Sequence, residues 1–390
     1  MMNPMVKIKN KPILLALLYM GIASNLFCQE TNVGINDTLR KNSFEGYAYL
    51  ISQDALGTKD AYTVAASINL IGEFVLVGKS NKKSSTHFDY WLYTTEPSNP
   101  EESVPELAQK AGLLWNTNDF GTSIFTSGIG VMAFRQQLFQ DKLSIRAGKL
   151  FPGVYYQSNY YAPNNSETHM NSMLTSNPVS SWFGSLGIGL MGEFEDENWF
   201  GKLGIHDATA DDELDFKSLS DGKFLYITEL GLKQKKSDTE NRISLLYSYT
   251  DELTNKTAEH SISLGGVYYF GTDQLWGTYA RYSFRDGGKG KDAASASEEN
   301  AVKNGGFIGI SRTAPWRLAK SEIGGSYFIG QPSNYQVSIG SNTQYGIETY
   351  FKYNFKPLIQ AAFDFQLVNT GNAFVPIIGA RFKAGWSTLF

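Results

Sequence analysis

The segment IGARFKAGWSTLF, residues 378–390, alternates between two kinds of side chain. Its even positions carry Ile378, Ala380, Phe382, Ala384, Trp386, Thr388 and Phe390, and its odd positions up to 387 carry Gly379, Arg381, Lys383, Gly385 and Ser387. Successive side chains of a β-strand point to opposite faces, so this pattern predicts a strand between an apolar environment and a polar, cationic one.

Earlier segments repeat this alternation, among them residues 224–233, 261–270, 276–285, 345–355 and 359–367. The pattern fits a soluble β-sandwich or a membrane barrel with a wet lumen, and strand length separates the two. Segments of about 10 to 13 residues suit tilted membrane strands, whereas sandwich strands are roughly half as long. Aromatic residues also gather near the segment ends, as in a lipid-headgroup girdle. We therefore predict an all-β, transmembrane, antiparallel up-and-down β-barrel.

The number of strands follows less directly from the pattern. Roughly 18 segments qualify, but residues 61–79 count as one strand or two, and residues 111–117 are ambiguous. Single-chain bacterial barrels have even strand numbers, so we predict 16 strands, with 18 as the alternative. A barrel of this size encloses an aqueous channel.

The N-terminal residues indicate export. Lys7, Lys9 and Lys11 precede the apolar run at residues 13–23, which is too short to span a membrane comfortably. We predict a signal peptide over residues 1–28 cleaved near Cys28, a short periplasmic lead over 29–43 and a barrel over 44–390. Lipidation of Cys28 is the alternative, which the large Phe27 disfavours. The predicted location is the outer membrane.

Segments without strand alternation predict the loops of the barrel, and the loops, the C-terminal residue and the net charge indicate candidate partners. Residues 151–181 lack strand alternation, so they must lie outside the bilayer or fold into the lumen, because lipid-exposed irregular backbone is not tolerated. We predict an inward-folded loop. Residues 286–300 predict an exposed loop, and residues 96–110 a loop with a short helix. The acidic run at 211–215 predicts a solvated loop, or one that bridges cations to lipopolysaccharide. A terminal Phe390 predicts recognition by the barrel assembly machinery. The net charge of −4 gives no support for nucleic-acid binding.

Several segments, taken in order, resemble a known family. They are LSIRAGKL (143–150), SNPVSSWFGSLGIGL (176–190), NWFGKLGIHDATA (198–210), WGTYARYSFRDG (276–287), ETYFKYNFKPLIQAAFDFQLVNTGNA (348–373) and GARF (379–382). Over residues 110–390 the chain resembles the carbohydrate-selective porins of Gram-negative outer membranes, the OprB type. The resemblance implies a 16-stranded barrel, passive diffusion of sugars, and a constriction where arginines face acidic residues.

The parity of each position, that is, the face of the strand to which the two-residue alternation assigns it, and the family resemblance together select candidate constriction residues. A basic residue facing lipid near the midplane costs about 2–4 kcal/mol, so the alternation places charged residues inside. The candidates are Arg146, Lys149, Glu229, Arg281, Arg285, Glu348, Lys352, Asp364, Gln366 and Arg381. Arginine donors and carboxylate acceptors would hydrogen-bond sugar hydroxyls. Tyr155, Tyr156 and Trp182 are candidates for stacking on a sugar ring. Arg146 and Arg281 are predicted to line the narrowest part, beside residues 151–181.

Two other classes of function remain open at this point. The predicted lumen residues include more basic than acidic side chains, which keeps a phosphate, anion or general-solute channel as an alternative. The other alternative is a barrel that serves as an adhesin or structural anchor. The four histidines, His87, His169, His206 and His260, share no ligand spacing. We therefore expect no metal site, no cofactor and no enzymatic activity.

Overall fold

The structure is a computed structural model that describes residues 42–389. Residues 78–83, 119–125, 158–167, 181–186, 210–217, 237–238, 272–274, 293–294 and 297–298 are not described. Within the described residues, 16 strands form a closed antiparallel barrel in which each strand pairs with its chain neighbours and the first pairs with the last. This confirms the predicted fold class and strand number. The predicted signal peptide, Trp182, the acidic run at 211–215 and Phe390 lie outside the described residues.

The strands vary in length from 7 to 16 residues. They are β1 Ser43–Ala55, β2 Tyr62–Val77, β3 Ser84–Pro97, β4 Thr126–Leu138, β5 Leu143–Lys149, β6 Ile188–Glu195, β7 Trp199–Asp207, β8 Phe224–Lys236, β9 Thr239–Thr250, β10 Glu259–Phe270, β11 Trp276–Gly287, β12 Val302–Thr313, β13 Ser321–Pro332, β14 Gln344–Lys356, β15 Ile359–Asn369 and β16 Phe374–Leu389.

Two ambiguities of the sequence are resolved by the pairing. Residues 62–77 form one strand, β2, which pairs with β1 on one side and β3 on the other. Residues 111–117 form no strand. They follow the helix at 104–110, and their contacts with inward-facing side chains place them inside the barrel. The alternative of 18 strands is therefore wrong.

Short helices lie in the connections between strands. They are α1 Val104–Lys110, α2 Pro152–Tyr155, α3 Ser172–Thr175 and α4 Asn334–Ser338, with 3₁₀ turns at Pro100–Glu102, Ser218–Asp221 and Pro315–Arg317. The short helix expected within 96–110 is thus present. None of the described helices has the length and apolarity needed to cross a membrane.

The faces of the strands follow the predicted parity. Outward positions carry large exposed apolar side chains, such as Leu230, Leu264 and Ile347, whereas the alternate positions point inward and carry most of the charged residues. At the seam of the barrel, Gly46 of β1 pairs with Trp386 of β16. A Cβ on Gly46 would lie 2.1 Å from the indole ring, so this close approach requires glycine.

The barrel has two unequal ends. At one end, which we call the turn rim, short connections such as residues 139–142, 196–198 and 357–358 join the strands. At the other end, the loop rim, the connections include residues 98–125 and 150–187. Parts of these two long connections fold back into the lumen.

Candidate functional site

The connection between β5 and β6 first enters the lumen at α2. This helix and the adjacent Tyr156 pack on inward-facing apolar residues of β4, β6, β8 and β9, among them Val131, Met191 and Ile227. The backbone N–H of Gln157 donates to Glu229 Oε2 at 3.0 Å, and Lys202 Nζ donates to the Tyr155 carbonyl at 2.5 Å. The barrel wall therefore fixes α2 by both apolar packing and charged hydrogen bonds.

The same connection is fixed a second time around α3. Glu348 accepts hydrogen bonds from the backbone N–H groups of Met170 and Asn171, at 2.7 and 3.1 Å. The Asn171 side-chain amide donates to Gln366 Oε1 at 2.8 Å. Arg381 Nη2 donates to the Thr168 carbonyl at 3.2 Å. Residues 168–177 therefore form a docked segment held by several strands at once.

Arg281 completes this docking from β11. Its guanidinium donates to the carbonyl of Met173 at 3.1 Å and also to that of Ser176. The guanidinium carbon lies 4.9 Å from the centre of the Phe307 ring. These contacts leave Arg281 buried.

Residues 111–118, which follow α1, fill another part of the lumen. The Gln344 side chain accepts from the Leu114 N–H at 2.9 Å and donates to the Gly112 carbonyl at 2.7 Å. Trp115 packs edge-on against Phe328. An apolar patch inside the barrel is thereby sealed; it consists of inward-facing Val267, Tyr279, Phe307 and Phe328 together with Met173, Leu174, Leu114 and Trp115.

Nearer the turn rim, the lumen wall carries alternating charges, most of which remain partly exposed, whereas Arg135 and Lys202 are buried. We define the charged belt as Glu73, Asp89, Arg135, Arg146, Glu193 and Lys202. Arg135 bridges Asp89 and Glu73 at 2.8 and 2.5 Å, and Arg146 pairs with Glu193 at 3.0 Å. Lys202 lies 3.5 Å from Glu193. The exposed fraction of these side chains runs from 5% at Lys202 to 32% at Glu73.

Helix α2 lies against this belt. The Arg146 guanidinium carbon is 5.1 Å from the centre of the Tyr155 ring, and Lys202 contacts the carbonyl of the same tyrosine. Burial raises the pKa of the Tyr155 hydroxyl to about 12, so the phenol stays protonated at neutral pH. The belt and α2 therefore place cations, carboxylates, a neutral hydroxyl and an aromatic ring along one side of the lumen.

A second group of paired charges extends the belt along β6, β8 and β9. Lys233 lies 2.6 Å from Glu195, and Arg242 pairs with both Glu195 and Glu240. Arg242 is 30% exposed and Glu195 37%. Here too, each cation faces a carboxylate.

One serine, histidine and carboxylate are linked by hydrogen bonds at the edge of the belt. His87 Nε2 lies 2.7 Å from Ser85 Oγ, and His87 Nδ1 lies 2.5 Å from Glu73 Oε1. His87 is fully buried, and Ser85 Oγ is also 3.1 Å from Gln137 Oε1. Arg135 binds the other oxygen of Glu73. This chain of contacts connects the belt to β2 and β3 and satisfies a buried histidine.

The predicted constriction residues point inward but divide into two groups. Of the ten, only Arg146 belongs to the charged belt and keeps its side chain partly exposed, at 14%. Glu229, Arg281, Glu348, Gln366 and Arg381 are buried against the inserted connections. Arg146 and Arg281 both lie beside the connection 150–187.

The remaining predicted residues hold other parts of the wall. Arg285 donates to the carbonyls of Asn300 and Val302 and so ties down the connection between β11 and β12. Lys352 pairs with Glu322 at 2.9 Å, and both are buried. Asp364 accepts from Gln366 at 2.9 Å. Lys149 is buried at the end of β5, and Tyr156 lies beneath α2.

Of the other belt residues, strand alternation already predicted Glu193 to face the lumen, and the remaining four were not singled out from the sequence. Glu73 and Asp89 lie before residue 110, where the family resemblance is weaker. Arg135 and Glu193 lie outside the quoted segments, and Lys202 lies in the segment 198–210. The parity rule alone could have found those four, since all five occupy the polar face of alternating strands. Their mutual pairing depends on strand register.

Comparison with known proteins bears on the fold. The sequence matches no protein-family model and no curated protein. The high-pH structure of OprB from Pseudomonas putida superposes with a TM-score of 0.68 at 11% identity, covering 89% of this chain and 94% of that one. An anion-selective porin from Comamonas acidovorans gives 0.55 at 12%, covering 90% and 100%. A triple mutant of Rhodopseudomonas blastica porin gives 0.51 at 12%, covering 88% and 99%.

These likenesses extend over nearly the whole of each barrel. Identities of 11 to 12% show a shared fold and nothing finer. The resemblance to OprB-type porins that the sequence suggested is therefore matched in architecture.

Proposed function

We propose that the protein is a porin, a passive diffusion channel of the outer membrane, and that its lumen favours small neutral polar solutes such as carbohydrates. The charged belt is the observation that carries this proposal. It lies inside a closed barrel whose fold is shared with porins. Four of its six members, Glu73, Asp89, Arg146 and Glu193, stay partly exposed, whereas much of the other inward charge is buried.

The balance of charge in the belt favours neutral solutes over ions. Three cations, Arg135, Arg146 and Lys202, are interleaved with three carboxylates, Glu73, Asp89 and Glu193. The neighbouring group adds Lys233 and Arg242 against Glu195 and Glu240. A selectivity ring for ions presents an excess of one sign. The excess of basic residues expected from the sequence resides largely in buried side chains such as Arg281 and Arg381.

The chemistry of the belt suits hydroxyl-rich solutes. Each sugar hydroxyl both donates and accepts a hydrogen bond, and the belt offers guanidinium donors beside carboxylate acceptors. The Tyr155 ring lies against the same face of the lumen. Because each charged group already has a partner, a passing sugar exchanges one hydrogen bond for another, which keeps binding weak enough for release.

Planar-bilayer conductance of the purified protein tests this function. We expect single-channel currents in KCl that neutral sugars of increasing length block progressively, with little preference between potassium and chloride. Liposome swelling should be faster for glucose than for a singly charged solute of similar size. Strong anion preference without sugar block would indicate an anion channel instead, and absence of conductance would indicate an adhesin or structural barrel.

A further inference from the structure

The outer wall of the barrel has two adjoining apolar grooves. The larger has a volume of about 750 Å³; its outward lining includes Leu264, Tyr268, Ala280, Tyr282 and Ile308. The smaller, of about 580 Å³, is lined by residues including Trp199, Leu230 and Leu245. Leu232, Ile243 and Leu264 line both grooves and form the ridge between them. Volumes of this order are typical of small-molecule sites.

The floor of the larger groove consists of small residues. Gly266, Ala280 and Gly306 lie on β10, β11 and β12, flanked by Tyr268, Tyr282 and Tyr327. A Cβ on Gly306 would lie 2.3 Å from the Arg281 carbonyl oxygen, so the backbones pack closely beneath the groove. The floor is thus recessed between exposed aromatic and aliphatic side chains.

Two basic side chains lie at the turn-rim end of this outer face of the barrel. Lys236 is the last residue of β8, and its Nζ lies 5.5 Å from the centre of the Tyr268 ring. Arg312, one residue before the end of β12, lies 5.1 Å from the Trp276 ring. Tyr268, Phe270 and Trp276 stack in series between these two cations.

Both cations occupy positions that face lipid rather than the lumen. Arg312 shares its face of β12 with the exposed Ile308 and Ile310, and Lys236 shares its face of β8 with Leu230 and Leu232. Arg312 Nε is buried and has no hydrogen-bond partner within the part of the chain that the structure describes. Outward basic residues are tolerated near the interfaces, where they cost far less than at the bilayer midplane.

We propose that this face is a binding site for a diacyl glycerophospholipid of the leaflet at the turn rim. The two grooves would hold the two acyl chains on either side of the Leu232–Ile243–Leu264 ridge. Lys236 and Arg312, on either side of the Tyr268–Phe270–Trp276 stack, would attract the anionic headgroup electrostatically from both sides. Barrels place their short turns on the periplasmic side, where lipopolysaccharide is not the facing lipid. The proposal rests on the membrane location given under the proposed function.

Native mass spectrometry of the full barrel, purified in detergent with phosphatidylglycerol, tests the site. We expect the wild type to retain one phosphatidylglycerol that survives delipidating washes. Lysophosphatidylglycerol, with one chain, and diacylglycerol, with no phosphate, should be retained less. The double variant Lys236→Gln/Arg312→Gln should lower retention by about tenfold or more, since each basic residue near a lipid surface contributes about 1 kcal/mol.

Two further variants separate the site from general lipid contact. Ala280→Trp fills the larger groove from an exposed position and should also reduce retention. Lys142→Gln removes a cation from the β4–β5 turn, on the same rim but away from the grooves, and should behave like wild type. Equal retention by all variants would overturn the proposal, as would cross-links placing a second copy of the chain over Leu264 and Tyr282.

Lipid retention is read on the folded barrel and does not depend on conductance. Unchanged conductance in the variants that lose lipid is the expected result. If the barrel retains lipid but conducts nothing, the result would contradict the proposed function and would still support the lipid site.

Discussion

Arg146 and Arg281 show how two side chains of the same type, both inward by parity, come to differ. Arg146 pairs with Glu193 and keeps contact with the open lumen, at 14% exposure. Arg281 is buried, and its guanidinium holds the carbonyls of Met173 and Ser176. Under the proposed function the first is placed to act on solutes in the lumen, whereas the second holds the docked segment in position.

The first prediction concerns Arg146→Ala. The belt would keep Arg135 and Lys202 against three carboxylates, so its net charge becomes negative. We expect the reversal potential in a KCl gradient to shift towards cation preference, and sugar block to weaken. Lys291→Ala at the loop rim, where the lysine pairs with Glu252 at 2.6 Å, should change neither. An unchanged reversal potential in Arg146→Ala would show that Arg146 does not line the conducting path.

His169 is the residue of the docked segment whose protonation matters most. Its Nε2 lies 2.9 Å from Ser326 Oγ and also contacts the Tyr279 hydroxyl, and its Nδ1 lies 3.3 Å from Glu348. Asp364, Glu322 and Arg381 are the other charged groups that act on it. Burial lowers the pKa of His169 from 6.5 to about 3, outweighing the attraction of the carboxylates. The imidazole is therefore neutral when docked.

The second prediction follows from the sign of this shift. A histidine with a lowered pKa stabilises the docked form fully above pH 6.5 and progressively less as the pH falls from 6.5 towards 3, because the undocked form binds the proton more readily. We expect protease sensitivity of residues 168–177 to rise across that window. His169→Gln should flatten the dependence, whereas His260→Gln, on the outer surface, should keep it. A profile that is identical in wild type and His169→Gln would contradict this assignment.

At the scale of elements, the inserted connections decide how much of the lumen stays open. The connection between β5 and β6 is fixed at α2 by Glu229 and Lys202, and around α3 by Glu348, Gln366 and Arg381. Residues 111–118 are fixed separately by Gln344. Because the two attachment sites of the first connection lie on different parts of the wall, each can be released independently.

The third prediction is that Glu348→Ala releases α3 and leaves α2 in place. The variant loses two backbone N–H bonds to a buried carboxylate, each contributing roughly 1.5–3 kcal/mol. We expect larger, noisier single-channel currents and earlier cleavage within 168–177. Glu348→Gln keeps one acceptor and should be intermediate. If Glu348→Ala conducts like wild type with a protected segment, the carboxylate does not hold α3.

At the scale of the whole molecule, closure of the sheet leaves no free strand edge. β1 pairs with β16 along its entire length, from Ser43 with Leu389 to Ala55 with Ile377. Every strand thus has two hydrogen-bonded neighbours, which is the condition for stability in a hydrocarbon environment.

The fourth prediction concerns this closed ladder. The unheated protein in mild detergent should migrate differently on a gel from the boiled protein, and its circular dichroism should be dominated by β-structure. Gly46→Leu should lower the temperature of the mobility change, because its side chain collides with Trp386 at the seam. Gly57→Leu lies in an exposed turn at a positive φ of 81° and offers a comparison that strains the backbone without touching the seam. A helical spectrum would contradict the fold.

The sequence by itself determined the architecture and the facing of each strand. Because the side-chain period of a strand is two, Phe382 and Arg381 can be assigned to opposite faces without any knowledge of their neighbours. The same rule placed nine of the ten candidate residues inside; Lys149 is three positions from Arg146 on β5, so the rule assigns it to the opposite face. The lack of alternation over 151–181 also excluded this connection from the lipid, and left a position outside the bilayer or inside the lumen.

Only the tertiary structure decided which inward residues remain accessible. Glu348 and Met170 are 178 positions apart, and Gln344 and Leu114 are 230 apart, so their contacts leave no local pattern in the sequence. Phe307 and Phe328 point inward, which is unexpected for a lumen lined by polar side chains. In the structure Trp115 and Met173 cover them. Strand alternation is a property of nearest neighbours along the chain, whereas burial inside a barrel depends on what folds into it from elsewhere.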